Sequence, residues 1–445
     1  MSATQQIEPS IDHYLVEYAR IERELPGSDE SKRERHAELT RFAESGFPTT
    51  RNEDWKYTSL QPVEKRRFEI ADEADPVSVD EIRAYMPADL EAHRIVFVDG
   101  YFNSALSALD DLPNGVTVRS LASYLNDNAG ATVKAREIEE EPGSLTAMNA
   151  AFFTDGAYVE TANGSTLDKP LHIISVSSGT HDERMTQVRH RYVLGDSSEV
   201  SIIEHTVGLG DQAYFANLVT EAVMGRNAQL NRIRVQQESE RGYHVSSFFA
   251  QQRRDSRVFN HGFDLGGRLA RIDTNARLVD HNSEIHMYGV YAPTGRQHMD
   301  NHTRIDHATE HSVSREFYRG VLAGHGRGVF NGKIIIHKDA QKTDSEQACD
   351  ALLLSDKAEV DAKPELEIYA DDVTAAHGST VGQLDEDAVF YLKSRGVDED
   401  GARAILTYSF ANELVQKVGI APIERYVEAA LLAKMPGGRA YADLA

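Results

Sequence analysis

One cysteine, Cys349, and one tryptophan, Trp55, stand in a chain of 445 residues. A lone thiol excludes an intrachain disulfide and favours a reducing compartment. Positive charge is scarce as well: 47 Lys and Arg face 71 Asp and Glu, a net charge of −24. Such a balance repels phosphate backbones and anionic lipid, so nucleic acid and membrane surfaces are poor candidates as partners. The acidity itself reads as a solubility device or an adaptation to a saline habitat. No run reaches the roughly 18 apolar residues that a membrane-spanning helix needs. The opening MSATQQIEPSIDHYLVEYAR has no basic stretch leading into an apolar one, so no secretory signal is read and a cytoplasmic location is expected.

What is present fits a soluble globular protein. Hydrophobic residues make up 40% and charged residues 27%, and the length leaves room for about two to three domains. Residues 1–156 begin helically. Ile11, Tyr14, Leu15, Tyr18, Ile21 and Leu25 recur at helical spacing, with Ser10 as N-cap and Pro26 as stop. A second amphipathic stretch carries Leu39, Phe42 and Ala43 and ends at Gly46. Arg94 to Asp99 (RIVFVD) reads as a short buried strand, and Leu145 to Phe153 as a last helical run.

The texture changes over residues 157–383. EVSIIEHTV, AQLNRIRVQ, GRLARIDTNARLV and GKIIIHK alternate apolar and polar residues, the pattern of half-buried strands. Turn-like clusters punctuate them at intervals near 15 or 30 residues: Gly195-Asp196-Ser197, Gly225-Arg226-Asn227, Asp255-Ser256, His281-Asn282-Ser283, Gly324-His325-Gly326, Ser355-Asp356 and Asp371-Asp372. Equal strand-turn units without intervening helices predict the stacked rungs of a parallel β-helix. An antiparallel sandwich is the competitor, but Asn331-Gly332 is the one good hairpin signal in this strand pattern. Residues 384–445 return to helix. Asp385 caps a run to Gly396; Ala402, Ile405, Leu406, Phe410, Leu414 and Val418 form a face closed by Gly419; Pro422 opens a third helix. The tail after Met435 reads as loose.

Some motifs carry less than they promise. Gly328-Val329-Phe330-Asn331-Gly332-Lys333 resembles a phosphate loop, but its first glycine is one residue too close and Ile334 replaces the magnesium-binding hydroxyl. It is expected to be a rung turn. Gly324-His325-Gly326-Arg327-Gly328 lacks the helix that a dinucleotide fingerprint needs. His298, His302, His307 and His311 have metal-like spacing only on a helix; on a strand four residues span about 13 Å, too far to share an ion. They are read as hydrogen-bonded or surface histidines. Cys349 by itself reads as a small buried hydrophobe, and His377 as a hydrogen-bonded turn residue.

Three blocks in order resemble the SufB/SufD family of iron–sulfur cluster assembly scaffolds. They are GFPTTRNEDWKYTSL from Gly46, YRGVLAGHGRGVFNGKIIIHKDAQKTDSEQ from Tyr318, and YADDV…HGST…GQLDEDAVFYLKSRG from Tyr369. The first and third resemble the SufD branch. The resemblance implies a right-handed parallel β-helix core between N-terminal and C-terminal helical domains. It implies a non-catalytic scaffold that pairs with a SufB-like subunit, docks a SufC-like ATPase through residues 384–435, and receives sulfur from a SufS/SufE-type donor system. A homodimer of the isolated chain is left open.

The same resemblance makes His377 a candidate ligand for iron or for a transient cluster shared with the partner subunit. The chain departs from the family pattern at Ala375, where some SufD proteins carry a cysteine. Conversely, Cys349 falls where SufB resembles a Gln-Cys-Asp run with an assembly cysteine, which makes it a second, weaker candidate. A cluster takes about four protein ligands, mostly thiolates, so one cysteine leaves this chain to donate one or two. No cluster is expected to be held stably by the chain alone. Two other readings remain: a purely structural binding subunit without a metal site, and a β-helix enzyme acting on polysaccharide.

Overall fold

Sixteen strands from Ala157 to Gly382 alternate between two sheets, each strand pairing with the one two places further along the chain. The computed structural model describes residues 9–138, 143–435 and 438. Every pairing within that run is parallel. Register offsets near 30 residues, such as Gln229 beside Glu199, make each coil a two-strand turn of a parallel β-solenoid. The periodicity reading therefore holds over the sandwich. Pleating sends alternate side chains to opposite faces, so each coil lends one row to the shared interior. Ile202, Leu230, Met287, Met299, Phe330 and Ile334 lie in that interior core.

The corners explain the stacking. Ser197, Asn227, Asp255, Asn282, His311 and Lys342 all adopt left-handed backbone, with φ between 53° and 62°. Each begins the approach to a strand of the second sheet, and each donates its N–H to a carbonyl in the next coil, as Ser197 does to Arg226 and Lys342 to Asp372. Short polar side chains tolerate this conformation best. Two of them add lateral bonds, Asn227 Nδ2 to Ser197 Oγ at 3.1 Å and Asn282 Nδ2 to Asp255 Oδ1 at 2.7 Å.

One expected turn is a strand. Gly328–Lys333, read as a rung turn with Asn331-Gly332 as a hairpin signal, lies inside the strand Arg327–Ile336. The glycine serves packing here: a β-carbon at Gly332 would collide with Gln347 Nε2 and stand 2.7 Å from the Phe330 ring. Gly332→Ala is expected to cost about 1–3 kcal/mol by overpacking, read as a lower urea midpoint. An unchanged midpoint would show that Gln347 can move aside freely.

The N-terminal region contributes strands as well as helices. His93–Val98 extends one sheet beside Leu171–Ser177, and Val116–Ser120 extends the other against Ala157–Thr161. Helices Asp29–Ser45 and Ser144–Phe152 pack together, joined by the buried Arg35, whose guanidinium donates to the carbonyls of Pro26, Ala151 and Phe153. Gly46 ends the first of these with φ 65°, as its position predicts. Ser10 is not an N-cap: the helix is described from Pro9, and the Ser10 hydroxyl donates to Glu64 Oε1 at 3.2 Å.

The Gly46–Leu60 block crosses the outside of the first sheet. The Arg271 guanidinium lies over the Trp55 ring, 4.4 Å from its centroid, Thr58 bonds the Asp300 carboxylate, and Lys363 reaches back to Glu53 at 2.9 Å. Beyond the solenoid, Asp385 caps the helix Glu386–Ser394, and Gly396 follows it at φ 93°. Helices Glu399–Val415 and Ala421–Lys434 pack on the outer face of the second sheet through Ala411, Leu414, Val427 and Leu431. Ala404 and Ala411 lie deeper than the expected Ile405 and Leu406, because close approach to the sheet favours the smaller side chain. Apart from Gly438, the tail after Met435 lies outside the described residues.

Candidate functional site at the open end of the solenoid

Strands Glu359–Ile368 and Thr374–Gly382 are the last of their sheets. Each pairs along one edge only, with Arg327–Ile336 and Asp344–Leu353 respectively. An unpaired strand edge is a template for another strand. Apolar side chains accompany it: Tyr369 is 60% exposed and Val381 49%.

His377 stands in this last strand and is exposed. Register places it beside Gln347, and Cys349 beside Ser379. Burial alternates along Asp344–Leu353, with Ser345, Gln347, Cys349 and Ala351 turned inward. Because paired residues in adjacent parallel strands share a face, His377 occupies the inward row. It is open because that row has no described strand beyond it. The two sequence candidates are thus brought onto one face of adjacent strands, as diagonal neighbours.

Their environments differ sharply. Cys349 is 1% exposed and lies 3.8 Å from the Tyr291 hydroxyl. Burial pushes its thiol up to about 12, against a modest lowering by Tyr291. A protonated thiol is neither a good metal ligand nor a nucleophile. In the folded chain, a disulfide reagent at pH 8 is expected to leave Cys349 at least about 100-fold less reactive than after denaturation. Comparable rates would contradict this burial. Ala375 packs partly against the interior core, at the position where a thiol would have joined the His377 row.

A largely polar row, interrupted by Met287, that sequence reading missed runs behind His377. Successive pairings align Arg232, Asn260, Met287, Glu316, Gln347 and His377 in one inward row. Arg232 donates to Glu204 and, at 2.7 Å, to Asn260. Gln347 Nε2 donates to Glu316 Oε2 at 2.6 Å. Glu316 is fully buried, and desolvation raises its carboxyl to about 7 against the lowering influence of Thr303 and Gln347. Among the described residues, Gln347 Oε1 and Glu316 Oε1 have no hydrogen-bond partner. Only strand parity could have exposed this row, since Glu316 looks like any polar residue in SREFYRG.

The other histidines have separate places. His298 and His302 face outward, bonding Thr58 Oγ1 at 2.7 Å and Asp300 at 3.1 Å. His307 is inside, between Ser312 and Ser314, and His311 is a corner residue. Among the described residues, no three His, Cys, Asp or Glu side chains group closely enough to hold a metal ion. No helix among them is long and apolar enough to cross a membrane.

Comparison with known proteins bears directly on this geometry. Residues 176–410 match the family described as SUF system FeS cluster assembly, SufBD core domain, and residues 8–173 match the SufBD protein N-terminal region. The iron-sulfur cluster assembly protein SufD of Escherichia coli is 31% identical over 404 residues, covering 90% of this chain and 92% of its own. An iron-sulfur cluster assembly SufBD family protein of Synechocystis is 30% identical over 402 residues, covering 85% of each. SufD of Bacillus subtilis is 26% identical over 299 residues, covering 65% of this chain and 66% of its own. With a parallel solenoid flanked by helices and both halves matched, the chain belongs to the SufBD family of iron–sulfur cluster assembly proteins.

Proposed function

We propose that this chain is a non-catalytic scaffold subunit of a SufBCD-type complex, pairing through its open solenoid end with a SufB-like subunit. The observation that carries this reading is the free edge of Glu359–Ile368 and Thr374–Gly382, lined by exposed Tyr369 and Val381 and carrying His377. Pairing there continues both sheets and covers the exposed last coil. The iron–sulfur cluster is cargo in this reading. His377 supplies one imidazole ligand to an intersubunit site, and the partner supplies the rest. Cys349 acts as a packing thiol.

The C-terminal helices form the docking surface for a SufC-like ATPase. Their free face supports this: Phe390 is 71% exposed and Tyr391 57%, whereas Val389 in the same helix is buried. A SufS/SufE-type system delivers sulfur to the assembled complex.

The test is anaerobic purification with SufB-like and SufC-like partners, with and without His377→Ala. Iron and sulfide loading is expected to fall at least about 10-fold in the variant while the complex stays intact. Unchanged loading would leave a purely structural subunit. Loss of the complex itself in Val381→Glu, which puts a charge on the free edge, is the matching expectation for pairing.

A further inference from the structure

We propose that Gln347, held by Glu316, is the positioning residue for the His377 imidazole. The inference rests on the intersubunit-ligand reading for its consequence, but its geometry belongs to this chain alone. Gln347 is 1% exposed, and its amide is oriented: Nε2 donates to Glu316 Oε2 at 2.6 Å. That leaves Oε1 as the free end, an acceptor with no partner among the described residues. A buried unpaired carbonyl costs about 1–3 kcal/mol, so a native structure that keeps one generally has a use for it.

His377 offers a ring N–H donor from the neighbouring strand. The Cα register pairs it with Gln347 on the same inward row, one strand spacing of about 4.8 Å away. The Gln347 side chain is also confined. Gly332, opposite it, has no room for a β-carbon because the Gln347 amide occupies that space. Glu316, Gln347 and Gly332 thus form a socket with one free acceptor, a strand away from His377.

A histidine that binds metal through one ring nitrogen is oriented by the hydrogen bond the other makes. When the open end is covered, His377 donates one ring N–H to Gln347 Oε1. Its second nitrogen, deprotonated and facing away from the solenoid, is the one presented to iron. Gln347 touches no metal and acts only through the imidazole.

Two readouts test this on the full chain bound to its SufB-like partner. The first is the ¹⁵N spectrum of His377, assigned by its loss in His377→Ala. One dominant neutral tautomer is expected, with Gln347→Leu mixing the two forms. The exchanged pair, Glu316→Gln with Gln347→Glu, is expected to restore the single tautomer, since the relocated amide still donates across the row and the relocated carboxylate still offers His377 an acceptor. A tautomer ratio untouched by Gln347→Leu would overturn the proposal whatever iron does.

The second readout is anaerobic Fe(II) titration of the same complexes. Binding is expected to weaken about 10–100-fold in Gln347→Leu and to be restored in the exchanged pair. If His377→Ala removes Fe(II) binding while Gln347→Leu leaves it intact, positioning is wrong and the ligand reading stands. If His377→Ala leaves Fe(II) binding intact, the ligand reading fails. The tautomer then still decides whether Gln347 orients the ring.

Discussion

Glu221→Gln is expected to destabilise the fold by about 3–5 kcal/mol at neutral pH, the usual cost of leaving buried charge unpaired. Glu221 is fully buried on the outer face of the first sheet, under the segment around Val133. Arg189 meets its Oε1 at 2.7 Å and Arg191 its Oε2 at 3.2 Å, and the Ala135 N–H adds a bond at 2.9 Å. Burial by itself would raise this carboxyl, but Arg189 and Arg191 outweigh it and hold the group at about 2, below its ordinary 4.5. The stabilisation is therefore present above the ordinary value and lost as pH falls through 2. Gln at this position strands two guanidiniums beneath the N-terminal region. Urea denaturation followed by circular dichroism measures the effect. A loss under about 1 kcal/mol would mean that water reaches the arginines.

Glu316→Gln is expected to do the opposite, and only at one end of the pH scale. Among the described residues no cation stands beside this glutamate to oppose its burial, which places its carboxyl at about 7 against an ordinary 4.5. Below the ordinary value both folded and unfolded chains carry the proton, and the group imposes no cost. As pH rises, the unfolded chain ionises first while the folded chain retains its proton up to about 7, so stability drains across that window. A gap of this size corresponds to about 3 kcal/mol. The Gln variant keeps an oxygen to accept from Gln347 and never ionises. It should match the parent at pH 4 and exceed it by about 2–3 kcal/mol at pH 8. An advantage of equal size at both pH values would show that Glu316 does not titrate in that window.

These two glutamates mark the limit of what a sequence discloses. Local devices were legible: the Asp385 cap, the Gly396 stop, Pro422 in a first helical turn and the corner clusters from Gly195 to Asp372 are each decided within a few residues. The coil period followed from them, and with it the solenoid. Glu221 and Glu316 are decided by partners far along the chain, Arg189 in one case and Gln347 in the other. Gly332 fails for a related reason. Asn-Gly is a strong turn signal, yet here the missing side chain makes room for Gln347 across the interior. Likewise Trp55 stood out by rarity, but only the fold brings it onto Arg271.

The candidate site was half legible. His377 and Cys349 were named from motif resemblance, and the fold sets them on one face of adjacent strands. Which of them is accessible depends on coil position, which no motif encodes. Cys349 is one strand in from the end and sealed; His377 is in the terminal strand and open.

The left-handed corners act as a ruler for length variation. Each of the six residues from Ser197 to Lys342 stands two positions before a strand of the second sheet, at Glu199, Gln229, Arg257, Glu284, Val313 and Asp344. The stretch before the corner is not constant: Leu194 precedes Ser197 closely, whereas Ile336 and Lys342 are further apart. An inserted residue upstream of the corner is absorbed as extra loop. The same residue inserted after it would shift that strand's parity, and after His311 it would turn Glu316 outward. Indels are thus tolerated on one side of a single backbone conformation and forbidden on the other.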